Sequence, residues 1–216
     1  MSDNNESKKL IIITGPQGSG NHLFSKLFDY HPDVKGWDFG DKYWIPSDEE
    51  PFADCWIDPL KTKDMLTHPL MVANVSVPFV YDGVRQVPKI QEVVNEAKDA
   101  GYDVKVCIVV RDQNINKQQQ LRVRKDITLP TALNYYYNLD ADLHFLSHES
   151  LYLYGGAYLN WISRVLDFPI AYDDKRVNES LKEDSNKKYI KHYIDMEHHW
   201  LDEEVWNGIR PKKERK

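Results

Sequence analysis

With 216 residues, 41% hydrophobic and 29% charged side chains, the chain has the balance of one large globular domain and too much apolar content for wholesale disorder. Its net charge of −6 argues against broad phosphate-backbone binding, so no nucleic acid partner is expected. The polar start over 1–9 and the lack of any apolar run near ~20 residues predict no signal peptide and no membrane partner, hence a cytoplasmic protein.

Residues 1–8 are expected to be a disordered start, followed by one domain over 9–174. Leu10-Ile11-Ile12-Ile13 is a continuous apolar run ended by Thr14-Gly15-Pro16, the pattern of a strand buried on both faces. From Asn21 the period changes, and Leu23, Phe24, Leu27 and Phe28 form a helical stripe that stops near His31-Pro32. A second short strand is expected over Val34 to Phe39, then an irregular insertion over 41–70, rich in Trp, Pro and Asp.

Val72 to Val80 reads as a strand, and Ile90, Val93, Val94 and Ala97 as a helix that Gly101 caps. Val104 to Val110 is a further buried strand. Helices follow over Gln113 to Arg124 and Pro130 to Asn138, then a strand from Leu143 to Ser147 and a helix carrying Leu159, Ile162, Val165 and Leu166. The remainder, 175–216, reads as a charged, helical C-terminal extension ending in Lys212, Lys213, Arg215 and Lys216, a solvated tail. Strands alternating with helices predict an α/β, three-layer P-loop-type fold with a mainly parallel sheet flanked by helices, and ligands at the strands' carboxyl ends. Cys55 and Cys107 lie far apart without CxxC spacing, so neither a disulfide framework nor a zinc cluster is expected.

The segment Gly15-Pro16-Gln17-Gly18-Ser19-Gly20-Asn21-His22 stands between the first strand and the first helix. Glycines let a backbone approach a ligand closely, and a helix start offers N–H groups with partial positive charge, so a phosphate suits the position. Gly15 and Gly20 match the GxxxxGK[ST] frame, but Asn21 and His22 stand where lysine and a hydroxyl residue would follow. The tools for a γ-phosphate and Mg²⁺ are therefore missing, and an ordinary ATPase or GTPase is not expected.

On these residues the chain resembles the sulfotransferase family, whose P-loop-like fold uses 3′-phosphoadenylyl sulfate (PAPS) to sulfate a hydroxyl or amine. Gly15 to Leu23 resembles that family's loop for the 5′-phosphosulfate, with Ser19-Gly20-Asn21-His22 where the family often shows Ser-Gly-Thr-Thr. Val106 to Gln119 is similar to its strand and helix for the 3′-phosphate. Arg111-Asp112 matches the family's Arg-Asp, Gln113 replaces a proline, and Gln119 falls where a serine would be. His148-Glu149-Ser150-Leu151 is similar to its Tyr-Glu-Asp-Leu, and Leu159 to Pro169 to the helix and turn that follow. No lysine or arginine occurs between Gly15 and Asn21, where the family normally has one.

The resemblance implies PAPS as co-substrate, held by Gly15, Gln17, Gly18, Ser19, Gly20, Asn21 and His22 at the phosphosulfate and by Arg111 and Gln119 at the 3′-phosphate, with no metal. His22, beginning the first helix, and His148, following a strand, are the candidate bases for an acceptor. The resemblance gives Glu149 a structural role. Arg111 ends a buried strand where its fork could grip a phosphate, or it could pair with Asp112. Gln118, Arg122 and Lys125 could extend the site or form a solvated face. Trp37, Trp44 and Trp56 could stack on a sugar or be core, while Tyr135-Tyr136-Tyr137 reads as packing and His198-His199 carries no metal geometry. The expected activity is sulfuryl transfer to a small-molecule or glycan acceptor. A P-loop protein that binds a nucleotide or anion without turnover, and a small-molecule kinase with displaced catalytic groups, stay open.

Overall fold

The computed structural model describes residues 7–37, 45–182, 184–187 and 189. By internal contacts the chain divides into one unit through Lys182 and another from Glu183.

The first unit is α/β. Its core is a four-stranded sheet of β1 (Lys9–Pro16), β2 (Leu70–Val77), β5 (Asp103–Val110) and β6 (Leu143–Ser147), in the order β2-β1-β5-β6. Every pairing is parallel, with Ile13 in register between Asn74 and Cys107. The apolar run of β1 thus occupies a central position, as its unbroken hydrophobicity requires. Between β2 and β5 lie the short antiparallel strands β3 (Phe79–Tyr81) and β4 (Val84–Gln86).

Side chains alternate across the sheet into two cores. Leu10, Ile12, Val104, Val106 and Ile108 join α3 (Ile90–Asp99) and α5 (Leu129–Tyr137) on one face. Ile11, Ile13, Cys107 and Val109 meet α1 (Asn21–Asp29), α7 (Gly156–Leu166) and Val177 of α8 (Lys175–Ser180) on the other. The remaining helices are α2 (Thr62–Met65), α4 (Gln113–Arg124) and α6 (His148–Tyr154). Each fully buried Leu, Ile or Phe contributes about 1.5–3 kcal/mol, so the double-sided burial of β1 makes it the organising strand. β1 is also where the strand order reverses: β2 follows on one side and β5 on the other, so the crevice at its carboxyl end is the topological switch point.

Several elements differ from the sequence reading. The strand expected from Val72 to Val80 ends at Val77, because Pro78 has no N–H for the ladder, and the chain turns into the β3–β4 hairpin. That hairpin's turn is Asp82-Gly83, both at positive φ, a sequence signal for a tight hairpin. Within the segment expected as a strand over Val34 to Phe39, only Lys35 bridges to Met71, and Phe39 lies outside the described residues. Over 45–69 the segment expected to be irregular holds short 3-10 turns and the helix α2, and β2 begins at Leu70; the segment buries Phe52, Cys55 and Trp56. Helix α6 was not anticipated, and Val165 is exposed. Lys8 is anchored, its carbonyl accepting from Asp103 N at 2.8 Å. No helix among the described residues is long and apolar enough to cross a membrane. Trp44, His198, His199 and the basic tail lie outside the described residues.

Candidate active site

The loop between β1 and α1 is shaped by its own side chains turned inward. Ser19 Oγ donates to Asn21 Oδ1 at 2.5 Å, and Asn21 Nδ2 reaches Ser76 Oγ at 3.2 Å and the carbonyls of Gly15 and Val75 at 3.4 Å. Asn21 thus ties the carboxyl ends of β1 and β2 together. Gln17 is buried as well. Its carbonyl accepts from Asn116 Nδ2 at 3.2 Å and Gln120 Nε2 at 2.7 Å, and its Oε1 accepts from Thr128 at 3.2 Å. The Gln17 side chain therefore faces α4 and α5 rather than the loop mouth, and what the loop presents outward is main chain.

That main chain has the form an anion nest needs. Gly18 and Gly20 are left-handed, at φ 84° and 106°, and Gly20 begins α1 without a side-chain cap. No acceptor among the described residues takes a hydrogen bond from the backbone N–H of Gly18, Gly20, Asn21 or His22. Ser19 N between them donates to Pro16 O at 3.0 Å, so the open amides are those of Gly18 and of Gly20 to His22; at a helix start, with the helix dipole behind them, they favour an oxyanion.

Two side chains wall the loop. A Cβ on Gly18 would lie 2.0 Å from Gln119 Oε1, and one on Gly20 would lie 2.6 Å from His148 Cδ2. Both glycines are needed twice over, for their backbone angles and for these close approaches. His148, only 1% exposed, is pushed down to about 3 by burial and by the Arg111 charge, so it stays neutral. Neutral and enclosed, it acts as a packing wall under Gly20, and of the two candidate bases only His22 keeps solvent access.

Arg111, at the end of β5, turns to the loop and donates from Nη1 to Gly18 O at 2.7 Å. The carboxylate of Asp112 instead caps α4, accepting from Asn114 N at 2.9 Å and Ile115 N at 3.0 Å. Glu149 Oε1 accepts from Asp112 N at 3.0 Å, joining α6 to the start of α4. A second guanidinium approaches from the last turn of α4, where Arg124 Nη1 donates to Gln119 Oε1 at 3.4 Å. Burial and the nearby Arg85 lower Arg124 from its usual value. Of the two guanidinium groups, Arg111 reaches the loop itself and Arg124 reaches only the Gln119 side chain that abuts Gly18.

Beside Arg111 a cavity of about 420 Å³ opens, lined by Pro16, Ser19, Leu133, Tyr136, Phe145 and neighbours, predominantly apolar. Phe145 and Tyr137, 63% and 87% exposed, stand at its rim. Tyr136 is fixed by a 3.0 Å hydrogen bond to Thr14 Oγ1, and burial pushes its phenol up. Tyr135 donates to Pro88 O at 2.6 Å and accepts from Ile90 N at 2.9 Å, a packing role. A larger hollow of about 720 Å³ lies at the other end of the strands around Lys9, Asp33, His68 and Asp167. Its Lys9 is committed to Asp167 at 2.6 Å, whereas Pro16 and Ser19 of the β1–α1 loop line the smaller cavity.

His22, the second residue of α1, meets a partner the sequence did not suggest. Its Nε2 lies 3.0 Å from Glu50 Oε1, and Asn74 Nδ2 donates to Glu50 Oε2 at 2.8 Å. Its ring packs on Trp37, centroids 5.0 Å apart. Trp37 and Trp56 are buried, so of their two readings the core one holds. Cys55 and Cys107 are free and buried, with Cys55 pushed up to about 11 by burial and Cys107 higher still. No group of three or more His, Cys, Asp or Glu among the described residues could hold a metal.

No protein-family model and no curated protein matches the chain. Among solved structures, it is similar to a mouse sulfotransferase, SULT7A1, complexed with PAP, at a TM-score of 0.41 and 11% identity over 85% of this chain and 65% of that one. The likeness is a distant one of fold, and the chain spans about 65% of that protein's length.

Proposed function

We propose that the chain binds PAPS at the β1–α1 loop and transfers its sulfuryl group to an acceptor hydroxyl or amine. The observation that carries this reading is the group of open amides of Gly18, Gly20, Asn21 and His22 with the Arg111 guanidinium beside it. Those amides would hold the phosphosulfate, needing neither a γ-phosphate nor Mg²⁺. The adjoining apolar cavity of about 420 Å³ is large enough for part of a nucleoside. Sulfuryl transfer is an in-line displacement in which positioning and charge neutralisation do most of the work, which suits amide donors with arginine support.

A second reading, binding without turnover, is favoured by one specific observation: Arg111 spends a donor on the Gly18 carbonyl. Thermal denaturation separates the two. A ligand at about 100-fold its Kd stabilises by ~2.7 kcal/mol, so PAPS and adenosine 3′,5′-bisphosphate should both raise Tm while ATP–Mg²⁺ does not. Transfer from radiolabelled PAPS to p-nitrophenol, butanol or glucosamine then establishes turnover. Stabilisation by ATP–Mg²⁺ alone would overturn both readings in favour of a kinase.

A further inference from the structure

The two edges of the four-stranded sheet differ. Along β2, Lys35 bridges to Met71, its N–H donating to Leu70 O at 3.0 Å and its carbonyl accepting from Val72 N at 2.8 Å. Asn21 Nδ2 reaches Val75 O further along the same strand. The edge at β6 has no such cover among the described residues. Val106 N donates to Asp142 O at 2.9 Å, which fixes the alternation: His144 and Leu146 turn their N–H and C=O groups to β5, while Leu143, Phe145 and Ser147 turn theirs outward. Of the outward groups, Ser147 N donates to Tyr158 Oη at 2.8 Å. The N–H and C=O of Leu143 and Phe145 meet no hydrogen-bond partner among the described residues.

Sheets blunt such an edge with lysine, proline, a bulge or an inward-pointing charge. The strand Leu143-His144-Phe145-Leu146-Ser147 carries no lysine, no proline and no carboxylate. Its flanks are apolar on both faces of the sheet. On one, Phe145, 63% exposed, stands beside Leu133 and Tyr137 of α5, and Tyr137 is 87% exposed. On the other, Tyr158, Trp161 and Val165 form one stripe of α7, which the bond from Ser147 N to Tyr158 places along β6. Tyr158 and Trp161 stack with centroids 5.8 Å apart, and Trp161 is 50% exposed. At ~150–250 Å² per aromatic side chain, the exposed parts of Tyr137, Phe145 and Trp161 supply about 300–500 Å². That is the apolar centre of the ~800 Å² that each member of a stable pair buries.

We propose that β6 is a dimer interface, pairing antiparallel with β6 of a second copy of this chain about a two-fold axis through His144. In that register Leu143 lies opposite Phe145 of the partner subunit, and each such pair exchanges both N–H···O bonds, so every open group of Leu143 and Phe145 is satisfied. An axis through Phe145 would instead set Leu143 against Ser147 of the partner subunit, whose N–H Tyr158 already holds. The axis is perpendicular to the sheet, so α5 meets α5 on one face and α7 meets α7 on the other, and both contacts are isologous. Phe145 also rims the cavity of about 420 Å³, so the partner's Leu143 closes that rim.

Sedimentation velocity of the full chain from about 1 to 100 μM should show a monomer–dimer equilibrium. Phe145→Glu sets a carboxylate against the partner's Leu143 at a position exposed in the single chain. The fold therefore survives, as circular dichroism and the urea midpoint check, while the dissociation constant should rise roughly 30-fold or more. Amide exchange gives a second readout that loss of folding cannot imitate. In the parent chain the Leu143 and Phe145 amides should slow about tenfold or more as concentration rises through the transition, and in Phe145→Glu they should stay fast. A dimer undiminished by Phe145→Glu, or exchange at 143 and 145 that ignores concentration, overturns the inference. So does a chain that stays monomeric throughout, and protection of those amides in it would assign the edge to another segment of the same chain. None of these outcomes bears on the PAPS reading, which the Tm rise with ligand tests separately.

Discussion

Gly18→Ala tests the geometry of the loop most directly. At φ 84° an alanine sits in the left-handed region, which costs about 1–2 kcal/mol. Its Cβ would also lie 2.0 Å from Gln119 Oε1, a contact no packed structure keeps. Because that oxygen ends a flexible side chain, Gln119 would swing aside at about 0.5–1.5 kcal/mol for a poor rotamer and lose Arg124 at 3.4 Å. The expected total is roughly 2–3 kcal/mol. In a Gln119→Ala background only the backbone cost remains, so the double-mutant cycle should show a coupling of about 1 kcal/mol. Urea unfolding of the four proteins measures it, provided the slopes agree. Equal cost in both backgrounds would show that Gln119 does not lie on Gly18, and a cost under ~0.5 kcal/mol would show that Gly18 is not left-handed there.

Gln120→Ala should destabilise by roughly 3–5 kcal/mol, since it strips the acceptor from Thr128 N and Leu129 N and a donor from Gln17 O, all buried; urea midpoints check this. His148, held at about 3 in the fold against 6.5 unfolded, contributes stability that is fully present above pH 6.5 and drains away as pH falls towards 3. The unfolded chain takes up that proton first, so relative to His148→Phe the parent should lose roughly 1.4 kcal/mol per pH unit below 6.5. Parallel stability profiles for the two proteins would contradict the burial. Arg111→Ala should remove at least half of the Tm rise with adenosine 3′,5′-bisphosphate, because the charge beside the loop amides is gone; an unchanged rise would place the ligand elsewhere.

The amino-acid sequence by itself determined the scaffold of the site. The run Leu10 to Ile13 can only be a strand buried on both faces, and the glycines after it can only be a turn into the stripe of Leu23, Phe24, Leu27 and Phe28. Those are local signals, set by residue period and by backbone freedom, and the same logic located α3 with its Gly101 stop and β5. Asp82-Gly83 was equally legible as a hairpin turn, though the β-branched run before it masked the break at Pro78.

Tertiary structure alone decided which side chains face the loop. Glu50 lies 28 positions from His22, and Asn74 and Ser25 are 49 apart, in segments with no shared motif. Arg111 reaches the Gly18 carbonyl only because β5 lies beside β1, and His148 lies enclosed under Gly20 only because β6 delivers it there. Period and propensity act over a few residues, whereas a carboxylate meets an imidazole when the sheet order brings β1, β2 and the chain between them to one edge. That juxtaposition is a property of packing, and no local pattern encodes it.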